Sequence, residues 1–162
     1  MSTRNLMSIA VLATAIVVGA STDVARADMS KAVIGAFRGK LVVTKGDMPE
    51  GKNDKDTIAK IKAANLTTLE GETRDDVTYW HFSYGAFLSK TGATTLKMEF
   101  YKDNGKQLSA DKTLDGIDPK SSLLTGEISI NEDEGLAKGK TYTIKLVTGS
   151  NAVVASTTVK MN

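Results

Sequence analysis

The feature that most constrains this chain is an alternation of apolar and polar residues in short runs, each closed by turn chemistry. A period of two marks a strand with one buried face, and runs bounded by Gly, Asn, Asp or Pro leave room for little else. Phe37, Leu41 and Val43 alternate with Arg38, Lys40 and Thr44, which predicts a first strand over 36–45. A second over 76–89 carries Trp80, Phe82, Tyr84, Ala86 and Leu88 on one face, with Val77, Tyr79, His81 and Ser83 on the other. The third, over 94–102, sets Leu96, Met98 and Phe100 opposite Lys97, Glu99 and Tyr101. Asp103-Asn104-Gly105 then turns the chain. A three-residue loop centred on Asn104 places Phe100 opposite Leu108 and Met98 opposite Ala110. It is preferred over a two-residue loop, because a one-residue slip turns every side chain to the wrong face. Further strands follow over 106–113, 124–131, 140–148 and 152–161, the last with Val153, Ala155, Val159 and Met161 on its apolar side. One segment reads otherwise: Asp56 is placed to cap a short helix over 57–65, where Ile58, Ile61 and Ala64 share a face, with a strand as the alternative. Seven short strands predict an all-β chain folded as an antiparallel β-sandwich.

Residues 1–27 have a different grammar. Arg4 precedes an apolar run from Leu6 to Ala20, and Ala25-Arg26-Ala27 gives the small-x-small pattern of a signal-peptidase site. That run is shorter than the roughly 20 residues a membrane-spanning helix needs. The expectation is a cleavable signal peptide over 1–27 and a single domain over 28–162, secreted or periplasmic, with no membrane insertion. The chain has no cysteine, so the core carries the stability without disulfides. Residues 28–162 hold 19 Lys and Arg against 18 Asp and Glu, with the signs interspersed. Nucleic acid and anionic membranes both select concentrated positive charge, and neither is expected as a partner.

Leu136-Ala137-Lys138-Gly139-Lys140-Thr141-Tyr142, followed by Thr143-Ile144-Lys145-Leu146, resembles the approach to strand F in fibronectin type III and related immunoglobulin-like domains. The resemblance implies an immunoglobulin-like sandwich in which the Tyr142 hydroxyl bonds back to nearby backbone and Leu136 packs beneath it. Lys138 stands where the family often has proline. Such folds host many unrelated functions, so the resemblance concerns architecture.

Catalytic chemistry is thinly provided. One histidine and no cysteine leave no Cys-His pair and no two-histidine zinc site. His81 lies between Trp80 and Phe82 in a predicted strand, with no Gly-x-Ser-x-Gly segment in the chain. No phosphate-binding glycine loop occurs either. The acids Asp54, Asp56, Asp103, Glu132, Asp133 and Glu134 fall in connections that an immunoglobulin-like topology gathers at one end, which makes them weak calcium candidates. Lysines stand among them, and no Asp-x-Asp-x-Asp-Gly loop is present. If the strands over 76–89 and 94–102 pair directly, Tyr79, His81, Glu99 and Tyr101 line one exposed strip able to bind a ligand. If the two strands lie in opposite sheets, that strip dissolves. Asn65-Leu66-Thr67 matches a glycosylation acceptor. The expected function is that of an exported, non-catalytic binding or accessory structural protein, without a cofactor, whose partner is an envelope protein or a polysaccharide. A carbohydrate-binding module using Tyr79, Tyr101 and Trp80 is one alternative, and a polymerising, pilus-like surface subunit is another.

Overall fold

The computed structural model describes residues 29–162; the predicted signal peptide lies outside them. Two sheets pack face to face. The first is built on β4 (Val77–Phe87), which pairs along one edge with both β1 (Leu41–Thr44) and β3 (Glu72–Arg74), and along the other with β7 (Leu123–Asn131). The second runs β2 (Thr68–Leu69), β9 (Val153–Met161), β8 (Lys140–Thr148), β5 (Leu96–Lys102), β6 (Gln107–Leu114). Trp80, Phe82, Tyr84 and Ala86 from β4 meet Met98, Phe100, Tyr142, Ile144 and Leu146 in the space between the sheets. This is the interior that the alternating pattern describes.

A second core lies on the outer face of the first sheet. Helix α1 (Lys31–Phe37) and helix α2 (Asp54–Ala64) cover it, joining Val33, Ile34, Phe37 and Ile61 to Val42, Phe87 and Leu123. The strand predicted over 36–45 is therefore corrected. Phe37 closes a helix whose apolar residues recur at helical spacing, and only Leu41–Thr44 is extended. Ser30 caps α1 by accepting from the Val33 amide at 3.3 Å. The predicted helix over 57–65 exists but starts earlier. Its cap is Asn53, whose side chain accepts from the Asp56 amide at 3.0 Å, so Asp56 sits inside the first turn. Gly85 on β4 leaves the slot in which Met48 lies; a Cβ there would overlap the Met48 methyl group.

Strand pairing brings further corrections. Among the described residues there are nine strands rather than seven, and the sandwich is not wholly antiparallel, since β2 runs parallel to β9. The short β2 and β3 belong to a segment that stitches the two sheets along one side. The Leu66 amide donates to Val43 O in the first sheet, and Thr67 O accepts from the Lys160 amide in the second. At the β5–β6 hairpin the loop has four residues, 103–106, and Tyr101, not Phe100, faces Leu108. A bulge then inserts Ser109, which restores Phe100 to the interior opposite Ala110 and sets Met98 opposite Lys112. A second irregularity between Leu146 and Val147 pairs Val147 with Val153, so Val153 is 53% exposed rather than on the apolar side.

Two tyrosines fix points of this core. The Tyr142 hydroxyl accepts from the Ala137 amide at 2.9 Å, with Leu136 buried beside it. Tyr142→Phe is expected to cost about 1–2 kcal/mol, because it leaves a part-buried amide unpaired; urea titration measures it. Tyr84 is buried, and loss of hydration pushes its phenol up to about 12. An unfolded tyrosine ionises near 10, so between those values the native state holds a proton that the unfolded chain has released. Stability therefore falls as pH rises through that window, by up to about 1.4 kcal/mol per pH unit from this group. Tyrosinate absorbance followed against urea midpoint tests this, and Tyr84→Phe is expected to remove its share of the slope.

Candidate functional site

The two sheets separate the residues expected to form one strip. Tyr79 and His81 stand on the outer face of the first sheet, on β4, whereas Glu99 and Tyr101 stand on the outer face of the second, on β5. The four-residue strip is thus corrected to two pairs on opposite sides of the molecule, because β4 and β5 lie in different sheets. Each pair is ordered. The Tyr79 and His81 rings stack at 6.5 Å between centroids and 4° between planes, next to Asn131 and Ser129 of β7. They occupy the end of the sheet that the helices leave bare. On the other side the Tyr101 hydroxyl donates to Glu99 Oε2 at 2.7 Å, and Lys145 Nζ lies 4.1 Å from the Tyr101 ring centre. That ammonium also donates to Gly105 O at 3.0 Å. The bond to the Glu99 carboxylate, then burial, raises the Tyr101 phenol above its ordinary value. Leu108, 47% exposed, faces Tyr101 across the hairpin. Trp80 belongs to neither surface. It is fully buried, and its indole N–H donates to Asn162 O at 3.0 Å, which removes it as a candidate sugar platform.

The calcium candidates do not converge, and each is engaged elsewhere or isolated. Asp54 accepts from the Ser30 hydroxyl at 2.7 Å. Asp56 accepts from the Lys52 amide at 2.9 Å and pairs with Lys60 at 3.3 Å, and both bonds lower its carboxyl. Asp103 sits in the β5–β6 loop with a positive φ of 54°. Glu132, Asp133 and Glu134 form a 3-10 turn after β7, capped by Asn131. There Glu132 accepts from the Thr78 amide at 2.9 Å, which lowers its carboxyl, and Glu134 pairs with Lys112 of β6. Among the described residues no three His, Cys, Asp or Glu side chains stand close enough to hold a metal ion. Asn65, read as a glycosylation acceptor, ends α2 and accepts from the Val43 amide at 3.0 Å.

The site that local sequence did not reveal is a groove at one end of the sandwich. The connection between β4 and β5 (Ser89, Lys90, Thr91, Ala93) and the turn between β8 and β9 (Thr148 to Val154) form its two walls. It is a shallow depression, largely open to solvent, with a volume of about 520 Å³. Exposed Val153 supplies apolar surface, Lys90 a positive charge, and Ser89 and Ser150 hydroxyls. Thr148 stiffens one wall by accepting from the Ala152 amide at 3.2 Å, and Thr91 the other by accepting from the Ala93 amide at 3.2 Å. The walls are some 60 residues apart in sequence, and only the sandwich brings them together. The irregularity at Val147 that exposes Val153 leaves no mark on the apolar pattern. No helix among the described residues is long and apolar enough to cross a membrane. No known family model matches the chain, and no curated protein is similar enough to it to count as a match.

Proposed function

We propose that this chain is an exported, non-catalytic β-sandwich that binds an envelope protein or polysaccharide through the groove at its loop end. The observation that carries the reading is the groove itself: a wide concavity between two self-braced loops, with one of the largest exposed apolar side chains on its wall. Export rests on the pattern of residues 1–27. The immunoglobulin-like reading has its support in the strand order, with β1, β4 and β7 facing β6, β5, β8 and β9, and in the Tyr142 bond to Ala137. In that arrangement the β4–β5 and β8–β9 connections share one end, where variable loops serve recognition on a rigid scaffold.

The test is photocrosslinking in the native envelope, with the reactive group placed at Val153 or, as control, at Lys97 on the outer face of the second sheet. A discrete adduct from Val153 alone, lost on adding Lys90→Glu, is the expected result. Equal labelling from both positions would remove the groove from consideration. A second reading, carbohydrate binding, is favoured by the parallel Tyr79 and His81 rings on the outer face of β4, because sugar rings pack against aromatic side chains. Retention on polysaccharide columns that is lost in Tyr79→Ala but kept in Lys90→Glu selects this reading over the groove. Tryptophan emission is a poor reporter for either, since Trp80 is buried.

A further inference from the structure

Four methionines lie among the described residues, and the fold treats them differently. Met98 and Met161 are fully buried between the sheets. Met29 and Met48 are half-buried and pack against the outer core under the helices. Of these two, Met48 occupies a slot formed by backbone. Its methyl group lies over Gly85 of β4, where a Cβ would overlap it, and its sulfur stands 3.4 Å from that Cβ position. The Phe87 ring borders the same slot, 3.7 Å from the Cβ position. A thioether suits such a place, being apolar, unbranched and adaptable.

Met48 sits in the middle of the strap, residues 45–53, that joins β1 to α2. Each end of the strap is tied. The Thr44 hydroxyl donates to Gly46 O at 2.5 Å. At the other end the Gly51 amide donates to Thr57 Oγ1 at 2.9 Å, the Lys52 amide to Asp56 Oδ2 at 2.9 Å, and Lys60 Nζ to Glu50 O at 3.2 Å. Among the described residues, no hydrogen bond holds Asp47, Met48 or Pro49. The Met48 side chain is therefore what fastens the middle of the strap to the sheet.

The slot offers no partner to a polar group. The Phe87 amide donates to Lys40 O and the Gly39 amide to Phe87 O. Two residues further along the β1–β4 register, Gly85 directs both its peptide groups at Val42. The cluster around Met48, which includes Val42, Ile58 and Phe87, is apolar.

We propose that Met48 is an oxidation-sensitive clasp: hydrogen peroxide converts its thioether to the sulfoxide, which leaves the Gly85 slot and frees the strap. In that step the sulfur lone pair attacks one peroxide oxygen and the O–O bond breaks. The second oxygen departs as water once it has taken the proton from the new S–OH group. Sulfur loses two electrons, and the peroxide gains them. The product carries a strongly polar S–O bond. With the Gly85 peptide groups already bonded, that oxygen finds a partner only by turning out to solvent, because leaving it buried and unpaired is costly. Gly85 lies in line with Tyr79, His81 and Ser83 on β4, so the emptied slot lengthens the bare part of the outer face toward the helices.

Peptide mapping by mass spectrometry tests this, together with amide exchange read residue by residue, on the purified chain before and after hydrogen peroxide. Met48 is expected to gain one oxygen about tenfold faster than Met98 or Met161, since exposure governs the reaction. Exchange at the Gly51 and Lys52 amides is expected to quicken about tenfold in step with that gain, and methionine sulfoxide reductases are expected to reverse it. Met48→Leu fills the slot without an oxidisable sulfur, and its strap amides are expected to show no response to peroxide. A Met48 that reacts no faster than Met98 overturns the proposal. So does a folded chain with Met48 fully oxidised in which the two amides exchange as before. A quickening that persists in Met48→Leu overturns it as well, by assigning the effect to Met29. Should Met48→Leu fail to fold, Met29→Leu makes the same separation: a retained response supports the clasp, and a lost one removes it.

Discussion

Trp80→Ala is expected to destabilise the chain by about 3–5 kcal/mol, a large share of the roughly 5–15 kcal/mol that holds a domain together. The indole is fully buried on the inner face of β4, opposite Ile130, so its removal leaves a cavity between two sheets that cannot close on it. Its N–H also belongs to a seam. Asn162 O accepts from Trp80 Nε1 at 3.0 Å and from the Gly71 amide at 2.8 Å, while the Asn162 amide donates to Leu69 O at 2.8 Å. Truncation therefore loosens the tie between the end of β9 and the stitching segment as well as the core. Trp80→Phe weighs the two contributions differently, since it keeps much of the apolar volume and deletes the donor. Its expected cost is about 1–2 kcal/mol, because Asn162 O retains the Gly71 amide. Urea unfolding followed by far-ultraviolet circular dichroism gives both values without relying on tryptophan emission. Equal losses in the two variants would mean that the hydrogen bond, not packing, dominates at this position.

The interior was readable because its residues obey one period. Leu96, Met98 and Phe100, and Tyr142, Ile144 and Leu146, face inward as their alternation requires. What alternation cannot express is a strand covered on both faces. Leu41-Val42-Val43 and Ala86-Phe87-Leu88 are continuous apolar runs, and their middle residues Val42 and Phe87 face the helices. Such a run is the mark of a doubly buried strand, and alternation over 36–45 hides it, because Phe37 belongs with Val33 and Ile34 on a helix and not with β1. The candidate sites divide the same way. Tyr79 with His81, and Glu99 with Tyr101, are local pairs two residues apart on one strand, and the structure keeps both. Whether the pairs adjoin depends on which strand lies beside which, a long-range property that neither strand encodes by itself. The bulges at Ser109 and near Val147 are likewise invisible locally, although they decide that Leu108 and Val153 are the exposed large apolar side chains.

The turn after β7 concentrates enough constraints that a single methyl group should undo it. Gly135 closes the Glu132–Glu134 turn at φ 105° and ψ 7°, a conformation that side chains other than glycine rarely adopt. It also lies against β6, where a Cβ would overlap the Ser109 backbone carbonyl oxygen and stand 3.2 Å from the carbonyl carbon. That carbonyl is held by the bulge and cannot yield as a flexible side chain would. Gly135→Ala is therefore expected to cost about 2–4 kcal/mol, combining backbone strain with overpacking. Gly149→Ala, at a position with open space and no positive φ, serves as the control and is expected to be near neutral. A second readout shows where the damage lies. Glu132 owes its lowered carboxyl chiefly to the Thr78 amide. Its folded value lies below its unfolded one, so its contribution is present above the unfolded value and is lost as pH falls through the folded one. If Gly135→Ala displaces the turn, Glu132 leaves Thr78, and the fall in stability on the acid side becomes shallower than in the unaltered chain. A variant as stable as the control, with the acid limb unchanged, would show that β6 can retreat from the turn without loss.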